Sequence, residues 1–321
     1  MDEFDLIQRY FDRRPAAMDV RTGIGDDGAV LQPTPGLQLV SVVDTLVAGV
    51  HFPSALPAAD TGFRAVAVNL SDIAAMAATP RWMTLALTLE RADARWLREF
   101  SDGLFEAAAA HGLSLVGGDT TSGPNLVISI QIIGEVDAAA VLLRSGAEAG
   151  DAILVTGTLG DAAAGLSILQ DPADDTNDFL LARFRRPTSR VDFARSIAPL
   201  AHAAIDVSDG LFADLGKMLR ASGLAGVIEW QEVPLSTALQ QRYPGDQALR
   251  LALGGGDDYE LCFTAATAAV PRILEIAAER ALRVSRIGTV EAGGGLRCTR
   301  DGKPVGYTDA GYRHFAPQEG A

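Results

Sequence analysis

The sequence Ala67-Val68-Asn69-Leu70-Ser71-Asp72 runs on into Ile73-Ala74-Ala75-Met76-Ala77-Ala78, and the plan returns at Ala204-Ile205-Asp206-Val207-Ser208-Asp209 followed by Gly210-Leu211-Phe212-Ala213-Asp214-Leu215. In each copy a polar residue, an aliphatic, a Ser and an Asp precede an apolar run at helical spacing, which predicts a segment ending at a helix start. Ser and Asp oxygens accept the orphan N–H groups of a first turn, so capping accounts for one such turn taken alone. Three further acidic segments keep these turns company: Gly25-Asp26-Asp27, Val43-Asp44-Thr45 and Gly117-Gly118-Asp119-Thr120-Thr121. Acids that recur after apolar or Gly-rich approaches suggest carboxylates converging on hard cations, which take oxygen ligands.

The chain's 321 residues, 48% hydrophobic and 21% charged, give a globular protein with room for two domains. No apolar run reaches the roughly 18 residues of a membrane span. The acidic opening Met1-Asp2-Glu3-Phe4-Asp5 argues against a signal peptide. Cys262 and Cys298 lack metal-ligand spacing, so reduced structural thiols in the cytoplasm are the simplest reading. A formal net charge of −14 argues against nucleic acid or an anionic membrane as main partner. Lys217 and Lys303 are the only lysines, and no Gly-x-x-x-x-Gly-Lys-Ser/Thr loop exists. A polyphosphate bound here has to be held by divalent metal, backbone N–H groups and a few arginines.

In chain order, a short amphipathic helix is expected over Phe4 to Phe11, then strands at 29–31 and 37–43 joined by a turn at Pro33-Thr34-Pro35-Gly36. His51 follows Asp44 between Val50 and Phe52, as a packing residue or a site residue. A helix over 60–68 should lead to the first repeated turn, and a second should run past Asp72 until Pro80 stops it. A strand over 83–89, a helix over 94–110 and a strand over 113–116 then end at Gly117-Gly118-Asp119. That stretch is either a plain strand-end turn or a place where phosphate meets backbone and metal. After a strand over 126–136, the polar link Arg144 to Asp151 marks a boundary, giving domains 1–140 and 141–321. Gly157-Thr158-Leu159-Gly160-Asp161 is a weak phosphate-cradle signal. The acid group Gly256-Asp257-Asp258-Tyr259-Glu260-Leu261 and an aromatic tail through Tyr312 complete the informative segments.

The ordered set Gly25-Asp26-Asp27, Val43-Asp44-Thr45-Leu46-Val47-Ala48-Gly49-Val50-His51-Phe52, Asn69-Leu70-Ser71-Asp72, Gly117-Gly118-Asp119-Thr120-Thr121, Arg144-Ser145-Gly146, Asp206-Val207-Ser208-Asp209-Gly210, Gly256-Asp257-Asp258-Tyr259-Glu260-Leu261 and Gly311-Tyr312-Arg313-His314-Phe315 resembles the thiamine-monophosphate kinase family. The wider superfamily resembles aminoimidazole-ribonucleotide synthetase. The resemblance implies an α/β (α+β) fold of two domains with mixed sheets covered by helices, dimeric through strands of the N-terminal domain. It implies ATP-dependent conversion of thiamine monophosphate to thiamine diphosphate with several magnesium ions. Asp26, Asp27, Asp44, Thr45, Asp72, Asp119, Asp206 and Asp209 are then metal ligands; Gly118, Arg144 and Ser208 touch ATP; His51, Glu260 and Tyr312 touch thiamine phosphate. The chain departs from the family pattern at Asp257, where Glu is expected, and at Arg313, where an acid is expected.

An acceptor that is already a phosphate monoester needs no strong general base, because its second pKa is about 6. Repulsion between two anions is the obstacle, and clustered magnesium addresses it. Direct in-line transfer without a phosphoenzyme is expected, with His51 positioning the acceptor. A selenophosphate synthetase or a hydrogenase-maturation protein is an alternative, but each carries a reactive Cys near one terminus and this sequence has none there. A silent metal- and nucleotide-binding regulator would keep the aspartates and lose His51, Glu260 and Tyr312.

Overall fold

A computed structural model describes residues 2–13, 17–171, 177–308 and 311–312. It separates into two compact units, one of Met1–Val141 with Arg185–Val191 and one of Leu142–Phe184 with Asp192–Ala321.

The first unit opens with helix α1 (Glu3–Leu6), continued by a π-helical turn over Ile7–Phe11. Strand β1 (Val20–Thr22) pairs with β2 (Val30–Leu31). The four-stranded sheet β3-β6-β4-β5 is built from β3 (Gln38–Val47), β4 (Thr79–Leu89), β5 (Ser114–Ser122) and β6 (Val127–Val136). It is mixed: β4 runs parallel to β5 and antiparallel to β6. The two expected strands and the turn between them form, with the Leu37 N–H on the Thr34 carbonyl at 3.2 Å, but they pair elsewhere, β2 with β1 and β3 with β6. Helices α2 (Ala58–Ala75) and α3 (Ala94–Ala109) pack on one another, and α2 lies against β3, β4 and β6. Glycines permit the close helix crossing: a Cβ on Gly62 would lie 2.1 Å from the Phe100 carbonyl oxygen, and one on Gly103 would lie 1.8 Å from that of Ala59. Arg186 of the returning segment bonds Asp60 at the start of α2 and Glu106 on α3, both at 2.7 Å.

Three expectations need correction here. The first repeated turn is not a helix start, because Asn69 to Asp72 lie inside one continuous α2, which ends at Ala75. Pro80 does not stop that helix; it sits within β4, where the pairing with β6 shifts register between Pro80 and Trp82. Such an irregularity is where a strand tolerates the missing N–H. Gly117 to Thr121 is not a strand-end turn either, for β5 carries it intact to Ser122.

The second unit is a seven-stranded mixed sheet in the order β13-β12-β9-β11-β7-β10-β8. Its strands are β7 (Ala152–Thr156), β8 (Ala201–Asp206), β9 (Ala225–Glu229), β10 (Leu261–Ala265), β11 (Val284–Glu291), β12 (Gly295–Arg300) and β13 (Lys303–Val305). Helices α4 (Asp161–Gln170), α5 (Asp178–Arg185), α6 (Val191–Ile197), α7 (Leu211–Ser222), α8 (Thr237–Arg242), α9 (Asp246–Gly254) and α10 (Val270–Ala278) accompany it. β7, β8 and β10 are almost wholly buried, so they read as apolar runs rather than alternating ones. Their side chains join Leu211, Leu215 and Met218 of α7, Trp230 and Leu253 in one core.

Candidate functional site

In the first unit, Asp44 lies on β3 with its N–H bonded at 3.0 Å to Oδ1 of Asn69. Asn69 is itself held by a bond from Nδ2 to the Ala65 carbonyl, one turn back in α2. Asp72 stands three residues further on, on the same helix face. Buried Asn69 thus ties the Asp44 backbone to α2 one turn before Asp72. His51 is fixed by the backbone of the same loop: its Nδ1 accepts from the Val47 N–H at 2.9 Å. In a neutral ring the proton then sits on Nε2. Asp26 and Asp27 are exposed on an irregular segment, where the Asp27 N–H bonds the Asp26 carboxylate at 2.9 Å.

Ladder pairing separates the remaining acids. Asp44 is in register with Ile130, Leu85 and Gly118 across the sheet, whereas Thr45 is in register with Ser129, Ala86 and Asp119. Paired residues share a face, so Asp44 and Asp119 point to opposite sides, and three strand spacings put them roughly 14 Å apart. Their carboxylates do not meet on one ion within a single copy of this unit. Thr45 also bonds Ser129 at 2.7 Å on the open side. Gly118 has a structural reason of its own: at φ 153°, a Cβ there would lie 1.8 Å from the Leu85 carbonyl oxygen.

In the second unit the two informative loops are zipped together by their backbones. Asp206 pairs with Leu261 at the ends of β8 and β10. Val207 N–H then bonds Glu260 O at 2.8 Å, Tyr259 N–H bonds Val207 O at 2.9 Å, and Asp257 N–H bonds Ser208 O at 2.8 Å. Gly256 must be glycine there, since at φ 68° its Cβ would come within 2.6 Å of Ser208 O. Asp257 and Tyr259 adopt positive φ values of 62° and 50°, a conformation uncommon for residues with a Cβ and one that clusters at functional sites.

The turn after Asp206 is shaped by a residue the motif reading left aside. Gly210 takes the helix-start position of α7 with no side-chain cap, so neither Ser208 nor Asp209 caps this helix. Instead Asp214, in the first turn, reaches back, and its Oδ2 accepts the N–H groups of both Ser208 and Asp209 at 2.9 Å. Burial pushes the Asp214 carboxyl above its ordinary pKa, opposed by Lys217. Lys217 Nζ bonds Asp214 at 2.8 Å and Asp209 at 2.5 Å. Tyr312 is half exposed at the described end of the tail, and its N–H bonds the Asp209 carbonyl at 3.3 Å. Arg144 is exposed, its carbonyl accepting from Ser222 at 2.9 Å.

Glu260 is 1% exposed and buried in a charge cluster absent from the motif reading. It accepts from Thr156 at 2.5 Å and from Arg183 at 2.8 Å. Gly157 at φ 63° leaves room for this carboxylate, which a Cβ would approach to 2.1 Å. Asp161, bonded to Ser236 at 2.5 Å and also to Thr158, lies 3.7 Å from Arg183, and burial raises its pKa. Asp258 accepts from Gly160 N–H at 2.7 Å at the start of α4; burial, moderated by Arg183, pushes its pKa up to about 8. The signal for Arg183 was weak, since 77 residues separate it from Glu260.

Residues 25–136 match the N-terminal domain, and residues 148–301 the C-terminal domain, of the family described as AIR synthase related protein. The chain is similar to the thiamine-monophosphate kinase of Salmonella typhimurium, 46% identical over 98% of each chain, and to that of Escherichia coli K12, 47% identical over 98% of each. Among solved structures it is similar to thiamine-monophosphate kinase from Stenotrophomonas maltophilia, with a TM-score of 0.86 and 44% identity over 95% of this chain and 98% of that one. It is also similar to AaThiL complexed with AMPPCP and TMP, with a TM-score of 0.77 and 31% identity over 97% and 96%.

Proposed function

The chain belongs to the thiamine-monophosphate kinase family, and we propose that it transfers the γ-phosphoryl group of ATP to the phosphate of thiamine monophosphate, yielding thiamine diphosphate and ADP. The observation that carries this reading is the 46% identity to a relative of that name across 98% of the chain. The complex of AaThiL with AMPPCP and TMP supports it for a 31% identical relative.

The ligand set Asp26, Asp27, Asp44, Thr45, Asp72, Asp119, Asp206 and Asp209 offers oxygen alone, which suits magnesium rather than a thiophilic metal. A cation already favours one of these positions, since the Lys217 ammonium lies on Asp209. Magnesium held by these side chains supplies charge neutralisation between donor and acceptor phosphates and helps align them for in-line displacement. Asn69 fixes the Asp44 backbone, and Asp214 fixes the Ser208–Asp209 turn, so the ligands are held before substrate arrives.

His51 presents a Nε2–H donor to the acceptor, because Nδ1 is engaged by the backbone. In that tautomer Nε2 has no lone pair to attack phosphorus, so the histidine positions and does not carry the phosphoryl group. Gly118, Arg144 and Ser208 are assigned to ATP, and Glu260 and Tyr312 to thiamine phosphate. Arg183 and Thr156 hold the Glu260 carboxylate in place. The reading includes a cytoplasmic homodimer. Among the described residues no helix is long and apolar enough to cross a membrane. The open face of β3 exposes Leu39 (53%) and Val43 (64%), apolar area for a second copy to cover.

Incubation with ATP, magnesium and thiamine monophosphate, resolved by chromatography, tests the reaction. Thiamine diphosphate should form only with magnesium and be lost in Asp72→Asn; ATP binding without diphosphate formation would remove the acceptor assignment.

A further inference from the structure

Lys217 is one of two lysines in a chain with formal net charge −14, and it sits against the second repeated turn rather than on open surface. Its ammonium bridges Asp214 and Asp209, at 2.8 Å and 2.5 Å. The two carboxylates differ in what else they do. Asp214 is 1% exposed and spends its other oxygen on two backbone N–H groups, so its geometry is set by the fold. The Asp209 side chain is 34% exposed and, on the reading above, is a metal ligand. A divalent ion entering at Asp209 would therefore meet a carboxylate that already holds an ammonium.

We propose that Lys217 is a tethered competitor for the metal at Asp209, occupying its carboxylate before magnesium binds and setting the magnesium concentration that this position requires. The inference rests on the assignment of Asp209 as a metal ligand. The ammonium does two opposing things there. It neutralises Asp209, which keeps the turn from repelling itself, and it repels a dication a few ångströms away, which weakens metal binding. Asp214 anchors the amine through its buried carboxylate, and Lys217 lies on the same helix three residues on, so the charge is held at the site rather than dispersed into solvent. Lys217, Arg220 and Tyr312 line one cavity of about 710 Å³ with Phe212, Leu296 and Thr308, into which a displaced lysine head can swing. Lys217 acts through its charge on the metal position.

The test is manganese binding to the whole chain without nucleotide, counted from the free-ion signal in electron paramagnetic resonance, with magnesium titrated in competition. Lys217→Met should tighten the ion held at Asp209 on the order of tenfold, the scale of one unit charge beside a dication in a water-like medium. Lys217→Arg, which keeps the charge, should bind metal as the parent does. Lys217→Gln, neutral but able to donate to Asp214, gives the same readout as Lys217→Met if the latter fails to fold. Unchanged or weakened metal binding in the folded neutral variants overturns the proposal. Asp209→Asn separates the two layers: if it retains every ion with parental affinity, the ligand assignment beneath the proposal has failed, whatever Lys217 does.

Discussion

Removing Arg183 isolates the energetics of the Glu260 cluster. The guanidinium and carboxylate are 2.8 Å apart with side chains only 11% and 1% exposed, so water screens them little. Arg183→Met leaves Glu260 buried with Thr156 as its described side-chain donor, and breaking one side of a buried pair costs about 3–5 kcal/mol. Glu260→Gln keeps the shape and the Thr156 contact and leaves Arg183 beside the Asp161 carboxyl, 3.7 Å away, so its cost is about 1–3 kcal/mol. Combining the two removes the stranded charge, and the double variant should be more stable than the sum of the single losses by about 2 kcal/mol or more. Urea denaturation at neutral pH, followed by circular dichroism for the four proteins of the cycle, measures this. Additivity within about 0.5 kcal/mol would mean that the carboxylate does not depend on Arg183.

Three further outcomes follow from single contacts. Asp258 keeps its proton up to about pH 8 when folded, against an ordinary 3.8, so between those values the folded chain binds more protons than the unfolded one. Its contribution to stability is therefore full below about pH 4 and is lost as pH rises to about 8, at up to about 1.4 kcal/mol per unit. Asp258→Asn should flatten the urea midpoint across that window, and an unchanged pH slope would contradict the assignment. Gly118→Ala sets a Cβ 1.8 Å from the Leu85 carbonyl at φ 153°, and should cost about 3 kcal/mol or more; a melting temperature within 2 °C of the parent would show that β4 yields easily. Asn69→Ala orphans the Asp44 N–H and should destabilise by about 1–3 kcal/mol in the same denaturation assay; a change under 0.5 kcal/mol would mean water replaces the amide.

The sequence is most legible where a motif is local and least where a partner is distant. The second repeated turn reads correctly as strand, loop and helix because Gly210 and the apolar positions of α7 are adjacent in the chain. The first copy, with the same Ser-Asp signal, is helical from Ala67 to Ala75: Asn69 bonds back to Ala65, and no Gly or Pro interrupts the run from Phe63 to Ala75. Capping chemistry and mid-helix packing use the same residue types, so only the strand beneath α2 decides between them. Gly117-Gly118 looks like a turn, yet the pair lies within β5, where Gly118 permits a close approach to the β4 backbone. The acidic residues were readable as a set, but which face of the sheet each one takes follows from register, a property of pairing and not of one strand. Arg183 and Asp214 carry no motif; each is recognised by what it bonds, Glu260 77 residues away and the N–H groups of the repeated turn.

Direct transfer from ATP to a phosphate acceptor fixes the fate of a γ-labelled phosphoryl group in a single turnover. Label should appear in the terminal phosphoryl of thiamine diphosphate, dependent on magnesium and thiamine monophosphate, with none trapped on the protein at any time. Label on His51 or another side chain before product forms, or release only as inorganic phosphate, would contradict it.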